Sequence, residues 1–189
     1  MANEFIPRLN DNGIRGNRLW FSNENPFYES GWGMPNCTCY AWGRAWESGG
    51  GTPETRPNFA PRDAELWWDW PDGYERGQTP RLGAILCLAD GPHSGWGHVA
   101  IVEEINPDGS IVTSESAYNG YFWELHTRRR ENNYIDDFGQ PPYVFQGFIY
   151  YPYSGGSPGG GGIEPKKLFL LSGLKKRLRQ WEYRRITNL

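Results

Sequence analysis

The sequence has no apolar run near the roughly 20 residues that a membrane-spanning helix needs, so no such helix is expected. It has only three cysteines, which cannot all pair with one another and argue against a disulfide scaffold. It has little net charge, −3, so the chain as a whole does not read as a nucleic-acid binder. Its apolar share is modest, 38%, with a mean hydropathy of −0.72. The opening residues, Met-Ala-Asn-Glu-Phe-Ile-Pro-Arg, lack a basic region followed by an apolar stretch, so no Sec-type signal peptide is expected. What is abundant is aromatic: ten Trp, eleven Tyr and nine Phe. Disordered chains are poor in such residues, so a folded core is expected. A length of 189 residues suits one domain with an appendage.

Charge divides the chain. Lys166 to Leu189 carries +7, whereas the residues before it carry −10. The sign changes just after Ser154-Gly-Gly-Ser-Pro-Gly-Gly-Gly-Gly162, a run that cannot bury a core and reads as a tether. We therefore divide the chain into a domain at 1–153, a Gly-rich linker at 154–163 and a basic tail at 164–189. In the tail, Leu171, Leu174, Leu178 and Trp181 fall on one helical stripe, clothed by Lys175, Lys176, Arg177, Arg179, Arg184 and Arg185. About 20 residues from Leu168 to Thr187 would make a helix roughly 30 Å long. Such a lone helix is marginal in water unless its apolar face docks. A structural protein of a phage particle, or an anionic cell surface, would suit it; a frayed terminus is the plain alternative.

The domain reads as α+β, helices first and a mostly antiparallel sheet after. Residues 1–35, rich in Asn, Gly and Pro, read as loop. Asn36 caps a predicted helix that runs to Ser48 and stops at three glycines. Residues 64–70 read as a second short helical stretch. Strands are expected at 83–89, 98–105, 110–115, 121–126 and 143–151, with a turn at Asn106-Pro-Asp-Gly109.

With Asn36 as the cap, Cys37 occupies the first helical turn. Unpaired N–H groups and the helix dipole there stabilise a thiolate. Cys39 lies about 200° around the helix, on a face shared with Trp42 and Trp46, and reads as buried packing. The plain alternative is that both are core thiols. Cys87, in an apolar strand, reads as a small buried hydrophobe.

His98 opens a predicted strand. A two-residue turn at Asp108-Gly109 would set it opposite Asn119, and a four-residue turn at 106–109 opposite Ala117. In both registers Glu115, Ala117 and Asn119 share its face, because strand side chains alternate. Glu115 or Asn119 is then able to orient the imidazole. A thiol, an imidazole and an orienting carboxylate or amide form an acyl-transfer constellation. The plain alternatives are an exposed strand carboxylate at Glu115 and a turn at Asn119-Gly120. Glu103 and Glu104 lie on the same hairpin outside the expected site.

Four segments carry a resemblance: Asn-Cys-Thr-x-Tyr-Ala-Trp-Gly-Arg (36–44), Gly-Gln-Thr-Pro-Arg-Leu-Gly-Ala-Ile (77–85), Gly-His-Val-Ala-Ile-Val-Glu (97–103) and Ser-Glu-Ser-x-Tyr-Asn (114–119). In this order, over about 20–151, they resemble the CHAP domain, the cysteine, histidine-dependent amidohydrolase/peptidase of phage and bacterial wall-lytic enzymes. The resemblance implies a papain-like fold and hydrolysis of peptidoglycan amides. It implies Cys37 as nucleophile, His98 as general base and Glu115 as orienting residue, with Asn119 a weaker match. Asn36 stands where the family often has Gln and is offered to the oxyanion. Cys39 stands where Trp is common, which agrees with packing. Some relatives hold calcium upstream of the cysteine; Asn10-Asp-Asn-Gly13 lies too far upstream and reads as a plain turn.

A zinc site from Cys37, Cys39, His93 and His98 is disfavoured, because the two thiols are spaced more tightly than zinc pairs usually are. His93 and His126 read as surface or strand residues. No metal or cofactor is expected. The expected partner is bacterial peptidoglycan. The alternative function is a non-catalytic wall-binding or structural virion protein, whose tryptophans would stack on sugars. The resemblance and the missing leader together suggest a phage endolysin or virion-associated lysin, held in the virion or in the host cytoplasm before release; a bacterial toxin is a further alternative.

Overall fold

The structure, a computed structural model, describes residues 5–91, 95–135 and 143–153. The expected linker, the tail helix and His93 lie outside these residues. Among the described residues there are helices α1 (Arg18–Phe21), α2 (Pro26–Glu29) and α3 (Cys37–Ser48). The strands are β1 (Glu75–Gly77), β2 (Ile85–Asp90), β3 (His98–Ile105), β4 (Ile111–Glu115), β5 (Glu124–Arg128) and β6 (Tyr143–Tyr150). They form one sheet in the order β1-β6-β2-β3-β4-β5, every neighbour antiparallel. This is the α+β architecture expected.

The helix starting at Cys37 begins where the sequence puts it, because the Asn36 side-chain oxygen accepts the N–H groups of Thr38 and Cys39 at 2.9 and 3.2 Å. Such a cap is worth about 1 kcal/mol. Every residue from Thr38 to Trp46 is buried, so α3 runs through the centre with no wet stripe. One flank lies on the sheet, against Ile85, Cys87, Val99, Ile101 and Ile149. Burying each of these Ile and Val side chains contributes about 1.5–3 kcal/mol. α1 covers another flank. A Cβ on Gly43 would sit 2.5 Å from the Trp20 ring, so only glycine lets the two helices approach this closely. The Trp20 indole then donates to the Tyr40 carbonyl at 3.0 Å.

Strand alternation turns Leu86, Leu88, Ala100, Val102 and Phe148 to the opposite face, where they pack with Tyr134. The two faces matter below, because the candidate site draws on both.

Four local readings differ from expectation. α1 and α2 lie in the segment read as loop. Each is one turn started by an asparagine, Asn17 or Asn25, and is too short to show periodicity. Only Ala64–Leu66 of the 64–70 stretch is helical, as a 3₁₀ turn. β1, three residues long, leaves no alternation to read. β5 begins at Glu124 rather than 121, because a turn closes from Ala117 N–H to the Tyr121 carbonyl at 3.1 Å and Phe122 and Trp123 pack into the core.

The β3–β4 hairpin turns where expected, with Gly109 N–H on the Asn106 carbonyl at 2.9 Å. A register shift between Val102 and Glu104 then sets Ile101 opposite Ser114. Beyond that bulge the pairing is the one a four-residue turn gives.

A buried polar network ties the hairpin to α3. The Arg44 guanidinium grips both oxygens of Glu103 at 2.9 Å, and neither side chain is exposed. Ser114 donates to Glu103 at 2.6 Å, Tyr40 to Ser114 at 2.7 Å, and the Trp123 indole to Tyr40 at 3.0 Å. Glu103 therefore holds the scaffold together and is no bystander on the hairpin. The Asn10–Gly13 segment is the plain turn expected; its Asn10 and Asn12 carbonyls accept from the Arg8 guanidinium at 3.2 and 2.7 Å.

Candidate active site

Cys37 is the first residue of α3 and is half-buried, whereas Cys39 and Cys87 are fully buried. All three are free thiols. Burial pushes the Cys39 thiol up to about 12, so at neutral pH it stays protonated, and its sulfur lies 3.6 Å from the Trp20 carbonyl. Burial likewise raises the Cys87 thiol. The split between one accessible and two packed thiols is as the sequence suggests.

His98 opens β3 at the rim of the sheet. The preceding Gly97 has φ of 63°, and a Cβ there would fall 2.5 Å from the Leu88 carbonyl. Only glycine lets the chain enter β3 along this path, so Gly97 sets where the imidazole lies. The Cys37 side chain favours the charged form of the His98 imidazole. The ring Nε2 lies 3.4 Å from Glu115 Oε2. That distance is long for a hydrogen bond but short for two charges. Burial alone would lower the His98 pKa; the charge of Glu115 and the hydrogen bond to Cys37 outweigh it and raise the value to about 9. At neutral pH the imidazole is therefore protonated.

Glu115 ends β4 and is fully buried. Burial alone would raise its pKa, but the charges of His98 and Arg128 and a hydrogen bond from Tyr121 hold it well below the usual carboxylate range. Tyr121 Oη donates to Oε1 at 2.6 Å. Arg128 Nη2 donates to both oxygens at 2.9 and 2.7 Å. Arg128 Nε in turn donates to Thr113 Oγ1 at 2.9 Å, which fixes the guanidinium plane. His126 Nε2 lies 3.5 Å from Glu115 Oε1, so this strand histidine also faces the carboxylate. Arg128, Tyr121 and His126 are site residues that sequence reasoning missed or left on the surface.

The three expected groups thus meet from different layers. Cys37 arrives with α3 on one face of the sheet. Ser114 faces α3, so alternation turns Glu115 to the other face. His98 stands at the strand end between them.

Two expectations about supporting residues change. Asn119 is not brought to the imidazole. It sits exposed at φ of 54° in a turn closed by Gly120 N–H on the Ala117 carbonyl at 2.9 Å. The Asn-Gly turn wins there because asparagine tolerates the left-handed conformation. Asn36 is beside Cys37, but its side-chain oxygen is occupied by the cap and by the Thr38 hydroxyl at 2.6 Å. Its amide NH₂ is the part left to meet an oxyanion. Among the described residues no group of three or more His, Cys, Asp or Glu side chains is arranged to hold a metal ion.

A thiol beside a protonated imidazole, at a helix start, is arranged for nucleophilic attack on a carbonyl with proton return to the leaving group.

Comparison with known proteins adds the following. Residues 26–117 match the family model of the CHAP domain. The chain is similar to Probable autolysin SsaALP of Staphylococcus aureus (strain NCTC 8325 / PS 47), 35% identical over 108 residues, which is 56% of this chain and 36% of that protein. It is similar to Staphylococcal secretory antigen ssaA2 of the same strain, 36% identical over 85 residues, 45% of this chain and 28% of that protein. The chain thus spans about a third of these relatives' length. Among solved structures it resembles N-acetylmuramoyl-L-alanine amidase from Staphylococcus aureus, 30% identical with a TM-score of 0.40 over 51% of this chain and 29% of that one. It also resembles Ly7917, 18% identical with a TM-score of 0.42 over 62% of this chain and 54% of that one.

Proposed function

We propose that the CHAP domain carried by residues 26–117 makes this chain a peptidoglycan hydrolase, cleaving a wall amide by a cysteine thiol mechanism. The observation that carries the reading is the Cys37–His98–Glu115 alignment, with the thiol at a helix start and the imidazole held protonated.

His98 draws the proton from Cys37 or pairs with its thiolate. The sulfur attacks the amide carbonyl, and the oxyanion is met by the Cys37 N–H, which as a first-turn helical group has no carbonyl partner within the helix. The Asn36 amide is the second donor. His98 gives its proton to the leaving amine, and the acyl group stays on sulfur as a thioester. Water, deprotonated by His98, then releases the acid and restores the thiol. Glu115 touches no substrate in this scheme; it keeps the imidazole oriented and charged, and Arg128 and Tyr121 keep Glu115 ionised.

Digestion of purified walls, with the fragments sequenced by mass spectrometry, tests the reading and names the bond. New amine termini are expected with the parental chain and none with Cys37→Ala. A phage endolysin or virion-associated lysin is the finer form of this proposal; the autolysin name of a bacterial relative supports the wall substrate and leaves the phage origin to be tested on purified particles by mass spectrometry.

A further inference from the structure

The two segments that lead into the thiol–imidazole pair share a tetrapeptide. Ser-Gly-Trp-Gly occupies 30–33, shortly before Cys37, and 94–97, directly before His98. Trp20, Trp42, Trp46 and Trp67 are all buried, whereas Trp32 is 53% exposed and Trp96 75%. A third exposed ring, Tyr118 at 56%, follows Glu115 by three residues. Trp32 and Tyr118 meet with ring centroids 5.6 Å apart and planes inclined by 57°. The loop ahead of the thiol and the loop behind the carboxylate thus join through two rings that keep more than half their surface wet.

Wet ring faces cost free energy in proportion to their area, so a paired and exposed notch on the segments that precede Cys37 and follow Glu115 is surface kept open for a ligand. The chemistry around it says which. Residues 30–36 and 116–123 contain no Asp, Glu, Lys or Arg, in a chain where those make up 22%. They offer rings, hydroxyls and amides instead, including the exposed Ser30 and Asn119. Stem peptides carry free carboxylates and amines, which charged side chains would meet. A sugar ring is neutral, with a C–H face that stacks on aromatic rings and hydroxyls that meet amides.

We propose that Trp32 and Tyr118 form a sugar subsite that takes a pyranose ring of the glycan strand and so brings glycan-linked amides, rather than free peptides, to Cys37. This rests on the wall-hydrolase reading for its substrate but is read by binding as well as by turnover.

The test is calorimetric titration of the full chain with a neutral, peptide-free tetrasaccharide of N-acetylglucosamine. Trp32→Ala and Tyr118→Ala should each weaken binding by about 5- to 10-fold, the scale of one lost stacking contact, while Tyr118→Phe stays within about twofold. Trp96→Ala removes a still wetter indole from the sister tetrapeptide, one that does not pair with Tyr118, and should also stay within about twofold. On sugar-linked muropeptides, Trp32→Ala should raise KM by a similar factor with kcat nearly unchanged. Undetectable binding by the parental chain, equal losses in Trp32→Ala and Trp96→Ala, or a KM effect of equal size on free stem peptides would each overturn the subsite. If walls stay uncut yet the tetrasaccharide binds through Trp32, the hydrolase reading falls and the subsite stands; if walls are cut and Trp32→Ala binds as well as the parent, the reverse holds.

Discussion

Arg128 holds both carboxylate oxygens of Glu115 through a single nitrogen, at 2.9 and 2.7 Å, and both side chains are fully buried. Glu115 thereby has one positive partner that is permanent and one, His98, that in the proposed mechanism gains and loses a proton in each cycle. The permanent partner keeps the carboxylate charged through the half of the cycle in which the imidazole is neutral. Removing it should be costly. Arg128→Met is expected to lower unfolding stability by about 3–5 kcal/mol, because it leaves a buried charge short of a partner. Arg128→Lys should lose less, keeping the charge without the planar fork. Urea unfolding measures both, and parental stability in Arg128→Met would contradict the account.

Cys37→Ala should lower wall hydrolysis by at least about 10³-fold with melting unchanged, since the proposed mechanism makes its sulfur the attacking atom. Cys39→Ala should do the opposite, costing about 1–3 kcal/mol of stability and leaving the folded fraction active. Turbidity clearing and thermal melting on the same samples separate the two.

Glu115→Gln should cut kcat/KM severely, and Glu104→Gln, at the half-buried end of β3, should not. Glu103→Gln is no neutral comparison, because Arg44 and Ser114 both depend on it. It is expected to lower stability by about 3–5 kcal/mol first and activity only as the protein unfolds. Activity per folded molecule, from hydrolysis corrected by circular dichroism, is the measurement; equal losses for Glu115→Gln and Glu104→Gln would remove Glu115 from the site.

The pH dependence follows from two opposite shifts. His98 is raised from 6.5 to about 9, so its stabilising pair is fully formed below 6.5 and lost as pH rises through about 9. Glu115 is lowered from 4.5, so its contribution is present above 4.5 and lost only as the pH falls through its depressed value. The alkaline limb of kcat/KM should therefore stand near pH 9 and move toward 6.5 in Glu115→Gln. An alkaline limb at the same pH in both proteins would dissociate Glu115 from the imidazole.

Gly97→Ala should displace His98, since φ of 63° disfavours any side chain and the new Cβ would meet the Leu88 carbonyl at 2.5 Å. A loss of about 1–3 kcal/mol is expected for such strain, with activity falling further than stability. A melting curve and a clearing assay check this.

Much of this site is legible in the sequence, for local reasons. Asn36 and the three glycines mark α3 at both ends, which fixes Cys37 in its first turn. An apolar run rich in β-branched residues, Val99 to Val102, marks β3, and a turn of known place puts Glu115 on the face of His98 whichever register holds. The choice between Glu115 and Asn119 was not legible, because it depends on where β4 stops, and the Asn-Gly turn ends the strand first. Arg128 was not legible either. It is the first of three consecutive arginines, of which Arg129 and Arg130 are exposed, and nothing local distinguishes the buried one. Placing β5 at 121–126 also left Arg128 outside any strand. Tyr121 owes its role to the turn that displaced β5, a tertiary event with no periodic trace.

The split of the candidate site across both faces of the sheet has a consequence for when the protein becomes dangerous. During synthesis Cys37 leaves the ribosome long before Glu115, and Arg128 later still. β6, which pairs with β1 and β2 and so completes the middle of the sheet, comes last among the described strands. A nascent or half-assembled chain therefore holds a thiol without the charge pattern that arms it. On the proposed mechanism, hydrolysis would wait until β6 has closed the sheet, and a chain cut short before β5 would hold Cys37 without Arg128.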